Sequence, residues 1–105
     1  MVTVEELVEM AKVANGRRRN RIVGKAEAKR FVELLAEVEN DPDARQIRVY
    51  SRGGFVANSY NFRAVISVFV AERDAEGKWV VGCRTVDAKR GHGQGALETV
   101  NGRAV

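Results

Sequence analysis

The sequence predicts an α+β domain in which two N-terminal helices pack on one face of a three- to four-stranded antiparallel sheet. Three observations carry that prediction. Apolar residues recur at helical spacing in two stretches before Asn40, Asp41-Pro42 then halts that period, and from Gln46 onward apolar residues alternate. Helices followed by strands stack most economically as one helical layer on one antiparallel sheet.

The first helix is expected over Val4 to Ala14. Thr3-Val4-Glu5-Glu6 has the form of a capping box, with Leu7, Met10, Ala11 and Ala14 on one face and Asn15-Gly16 as the stop. Arg17 to Gly24 reads as a basic connector. The second helix starts near Lys25, buries Ala28, Phe31, Val32, Leu34, Leu35 and Val38, and ends at Asn40, because the residue before a proline is forced out of helical geometry.

Ile47, Val49 and Ser51 then alternate with Arg48, Tyr50 and Arg52, and Gly53-Gly54 supplies a tight turn. Phe55 to Arg73 is too long for one strand, so a bulge is expected between Asn58 and Asn61. Asp74 to Gly77 reads as a four-residue hairpin loop and Trp79 to Asp87 as the returning strand. Residues 1–105 form one domain, with 1–90 as its core and 91–105 as a glycine-rich, partly flexible tail in which Leu97 to Val100 makes a short edge strand. A two-residue turn at Gly53-Gly54 and a four-residue loop place Ile47, Val49, Tyr60, Phe62, Ile66, Val68, Val70, Val81 and Cys83 on the helix face, and a bulge near Asn58 would exchange some of these assignments. Arg48, Tyr50, Arg52, Val65, Phe69, Val80, Arg84 and Val86 then fall on the outer face, where the four apolar members form a strip suited to a homodimer or another protein partner.

Composition narrows the function. Hydrophobic residues make up 45% of the chain and charged residues 30%, the balance of a folded globular protein. The acidic start lacks the form of a secretory signal and no apolar run is long enough to span a bilayer, so no membrane partner is expected. A single cysteine suits a reducing, cytoplasmic setting. The net charge of +4 is unevenly placed: Lys12 to Arg30 holds eight basic residues against Glu27 alone, a net of +7, while the rest of the chain is net acidic.

Arg17, Arg18, Arg19 and Arg21, with Lys25, are therefore the candidate contacts to nucleic acid or a nucleoprotein complex, since guanidinium groups bind phosphate bidentately. The competing reading is a solvated basic loop, or arginines that pair with the acids of the second helix. Arg48, Tyr50, Arg52, Phe69 and Arg84 are the candidate protein interface, with an ordinary exposed strand as the alternative. Gly91-His92-Gly93-Gln94-Gly95 lacks the strand, helix and Lys-Ser/Thr pair of a phosphate loop, and His92, the only histidine, has no partners at metal-ligand spacing. Cys83 falls on the core face, where a thiol behaves as a small hydrophobe. No catalytic residue, metal or cofactor is expected, and the functional expectation is a binding protein. The alternative is a small inhibitor or adaptor, of the sort mobile elements encode, acting through the outer sheet face.

Overall fold

The computed structural model describes residues 2–15, 24–50, 63–89 and 98–105. Its elements run α1 (Val4–Asn15), α2 (Lys25–Val38), β1 (Gln46–Tyr50), β2 (Arg63–Arg73), β3 (Trp79–Lys89), β4 (Glu98–Val100) and β5 (Arg103–Ala104). The α+β class is as expected, with five strands rather than three or four. All neighbours are antiparallel, in the order β3-β2-β1-β4-β5.

The helix ends form for the reasons the residues suggest. Glu6 N–H donates to Thr3 Oγ1 at 3.2 Å and Thr3 N–H donates back to Glu6 Oε1 at 3.3 Å, closing the capping box of α1. After α2, Asp41 Oδ1 accepts from Asp43 N–H at 2.9 Å and Ala44 N–H donates to the Asp41 carbonyl at 3.2 Å, a side-chain-assisted turn around Pro42 that feeds β1.

One core joins the layers. Leu7 and Ala11 of α1 and Ala28, Phe31, Leu34 and Leu35 of α2 pack on Ile47, Val49, Phe69 and Ala71 of the sheet, all buried. No helix among the described residues is long and apolar enough to cross a membrane.

The register of β2 corrects the expected faces. The loop after β2 has three residues, Ala75 to Gly77, because Asp74 N–H donates to the Lys78 carbonyl at 2.8 Å and so belongs to the ladder. Gly77, at φ +82°, takes the left-handed position that this type of loop requires. One residue fewer in the loop slips β2 by one against β3 and turns every β2 side chain over. Phe69 pairs with Cys83 and Ala71 with Val81, so Phe69 and Ala71 face the helices. Val68 and Val70 take the outer face instead. The expected apolar strip fails with this slip: Phe69 is fully buried, Val80 is exposed, and the side chains of Val65 and Val86 lie outside the described residues.

The tail contributes structure where loops and one edge strand were expected. Residues 98–104 form a hairpin whose first strand, β4, sits beside β1, with Asn101-Gly102 as its two-residue turn, both at positive φ. The expected edge strand is thus internal, covered by β5.

Candidate functional site

Two arginines among the described residues, Arg30 and Arg73, hold elements together. Arg30 of α2 donates from Nε to Glu98 Oε2 at 2.9 Å and from Nη1 to Glu37 Oε1 at 3.4 Å, tying α2 to β4. The Glu98 hydrogen bond holds its guanidinium above the ordinary value. Arg73 donates to the carbonyls of Ala44 (2.7 Å), Gly77 (3.1 Å), Glu39 (3.1 Å) and Asp41 (2.8 Å). Its guanidinium also lies 4.5 Å from the ring centroid of Trp79. Arg73 therefore joins the end of α2, the turn at Pro42 and the β2–β3 hairpin at one point.

The basic segment flanks the junction of the two helices. Lys12 occupies the last turn of α1, where it pairs with Glu9 at 3.1 Å. Lys25 and Lys29 begin α2 and are exposed. Gly24, the N-cap of α2, offers no side-chain cap, and the first turn carries both Lys25 and the acidic Glu27. Arg17, Arg18, Arg19 and Arg21 lie outside the described residues, so of the five candidate phosphate contacts Lys25 alone has a described position.

On the outer face two cross-strand rows run side by side. Val70 lies between Gly82 and Arg48, and Arg48 between Val70 and Thr99; in the next row Val68 lies between Arg84 and Tyr50. Val68, Val70 and Thr99 are buried, Arg48 and Tyr50 half-buried and Arg84 exposed. Arg84 Nη2 stands 3.6 Å from Glu72 Oε1, which also accepts from Gln46 Nε2 at 2.9 Å. Arg48 differs from these paired groups: its Nε is buried with no hydrogen-bond partner among the described residues. The structure thus brings Arg48, Tyr50 and Arg84 onto one face, as the alternation predicts, and removes Phe69 from it. Arg52 lies outside the described residues.

Cys83 is on the helix face, half-buried, and burial raises its thiol above the ordinary value of 9.0 despite a backbone hydrogen bond at Val68 that lowers it. A thiol held protonated is a poor nucleophile and a poor metal ligand. Among the described residues no three His, Cys, Asp or Glu side chains cluster closely enough to hold a metal ion. His92 and the Gly91 to Gly95 stretch lie outside the described residues, as do Gly53-Gly54 and the region of the expected bulge. Sequence reasoning missed Arg73 and Asn101. Asn101-Gly102 between Val100 and Arg103 was a readable hairpin signal, whereas nothing local marks Arg73.

No family model matches this chain, and neither a curated protein nor a solved structure matches it significantly.

Proposed function

We propose that this chain is a non-catalytic binding protein that engages nucleic acid, or a nucleoprotein complex, through the basic segment joining α1 to α2. The observation that carries this reading is the placement of charge. Eight basic residues against one acid are concentrated on the connector and on the helix turns beside it, in a chain whose remainder is net acidic. Lys25 adds a positive charge to the start of α2 beside the connector, in a first turn that also holds the acidic Glu27. Arg30 is spent on carboxylates and is not counted among the contacts.

Fluorescence anisotropy against duplex DNA and RNA at several salt concentrations tests this reading. Four phosphate contacts from Arg17, Arg18, Arg19 and Arg21 give a slope of log affinity on log salt of about −3.6. Between roughly 50 and 200 mM salt, binding then weakens on the order of a hundredfold. Replacing the four arginines with Gln removes most of that slope. Absence of binding at the lowest salt overturns the reading.

A second reading, a protein-interaction module acting through the outer sheet face, rests on Arg48. Exposed Arg84 and half-buried Tyr50 stand beside it on this face, and a partner carboxylate or carbonyl would engage their donors. Loss of partner capture in Arg48→Met, with salt having little effect, distinguishes it from phosphate binding.

A further inference from the structure

The two edges of the sheet are built differently. One ends in β5, two residues long and too short to invite a neighbour. The other ends in β3, eleven residues long, with no proline, no break in its register with β2 and no charged side chain from Trp79 to Cys83. Those are the devices by which sheets ordinarily blunt an edge. Among the described residues no strand pairs with β3 on its outer side.

The phase of the ladder decides which backbone groups face that edge. Asp74 and Lys78 form a hydrogen-bonded pair, so the bonded pairs continue as Glu72 with Val80, Val70 with Gly82 and Val68 with Arg84. Val81 and Cys83 therefore direct their N–H and C=O groups away from β2, while their side chains lie on the helix face. There they border a groove of about 810 Å³ between β3 and α1, whose α1 wall supplies Met10 and Val13 and whose rim carries Glu5, Glu6 and Glu9. Val13 is 80% exposed, an apolar side chain left in solvent beside an open strand. Glu9 is paired with Lys12, and Glu5 and Glu6 have no cation partner among the described residues.

We infer that the β3 edge takes up an extended, basic peptide segment of another protein as a sixth strand. The added strand bonds to the outward-facing backbone groups of Val81 and Cys83, unpaired among the described residues; its alternate apolar side chains enter the groove, and its Lys or Arg residues reach Glu5, Glu6 and Glu9. Charge complementarity selects this occupant. Pairing of β3 with a second copy about a twofold axis sets two acidic rims against each other, and nucleic acid is repelled by the same carboxylates. The surface is separate from the connector in the phosphate reading and does not depend on it.

A fluorescein-labelled Lys-Val-Lys-Val-Lys-Val peptide is the probe. Saturable binding is expected, lost when alternate amides of the peptide are N-methylated. The Glu5→Gln, Glu6→Gln, Glu9→Gln triple variant, which keeps a capping-box side chain at position 6, should bind about tenfold more weakly. Bound peptide should also slow alkylation of Cys83 by iodoacetamide, and the four-Gln connector variant should bind the peptide like the parent chain. No binding, equal binding of a Glu-Val-Glu-Val-Glu-Val peptide, undiminished binding of the N-methylated peptide, an unprotected Cys83, or a dimer through β3 in sedimentation overturns the inference.

Discussion

Phe31 of α2 and Phe69 of β2 meet with ring centroids 6.0 Å apart and planes inclined at 51°, both fully buried. This tilted pair joins α2 to β2 within the core cluster that also holds Ile47, Val49 and Leu34.

Phe69→Ala is expected to destabilise the fold by about 3–5 kcal/mol, the cost of deleting a buried aromatic ring. Phe69→Lys should prevent folding, since the ammonium would be buried without a partner. Urea denaturation of the Ala variant checks this, and a double-mutant cycle with Phe31→Ala should return a coupling of about 1 kcal/mol. A folded Phe69→Lys protein would refute the register of β2.

Arg73→Met should cost about 2–3 kcal/mol, because four carbonyl partners lose a charged donor and Trp79 loses the cation against its ring. Arg73→Lys recovers little of this, since a single ammonium cannot reach four acceptors in the geometry of the planar fork. Thermal melts followed by Trp79 fluorescence, with Trp79 also donating to the Glu39 carbonyl at 3.1 Å, give the readout.

Asn101 secures the C-terminal hairpin to β1. Its Oδ1 accepts from Arg45 N–H at 2.7 Å and Gln46 N–H at 3.1 Å, and its Nδ2 donates to the Asp43 carbonyl at 2.7 Å. Asn101→Ala loses these bonds and also strains a residue at φ +52°, so a loss of about 2 kcal/mol is expected. Asn101→Gly should lose less, as glycine accepts that conformation. Deleting residues 98–105 should be costlier than either, because it strips β4 from β1 and removes the Glu98 partner of Arg30. Chemical denaturation ranks the three variants.

Burial raises the Cys83 thiol, so the folded state favours its protonated form. The stability this adds is complete below the ordinary value of 9.0 and is lost as pH rises through the higher folded value. Stability of the parent chain should therefore fall more steeply above pH 9 than that of Cys83→Ala, and alkylation of Cys83 should lag behind a free thiol at pH 8. Alkylation at the rate of a free thiol would contradict the half-buried placement.

The local chemistry of the chain determined both helices, their limits at Thr3 and Pro42, the alternation of β1 and β3, and the concentration of positive charge around the helix junction. Each of these depends on residues within a turn or two of one another: a capping box, a proline stop, a period. Tertiary structure decided the rest. Whether Phe69 or Val68 faces the helices depends on one residue of loop length at Gly77, and a period-two strand carrying Val68, Phe69 and Val70 in succession has apolar residues on both faces, so its pattern does not choose. The pairing of β4 with β1, the commitment of Arg73 to four carbonyls and of Arg30 to Glu98, and the placing of β3, whose outer edge is unpaired among the described residues, beside the acidic side chains of α1 all join residues distant in the chain. Such contacts are set by the packing of the whole core, which no local spacing records.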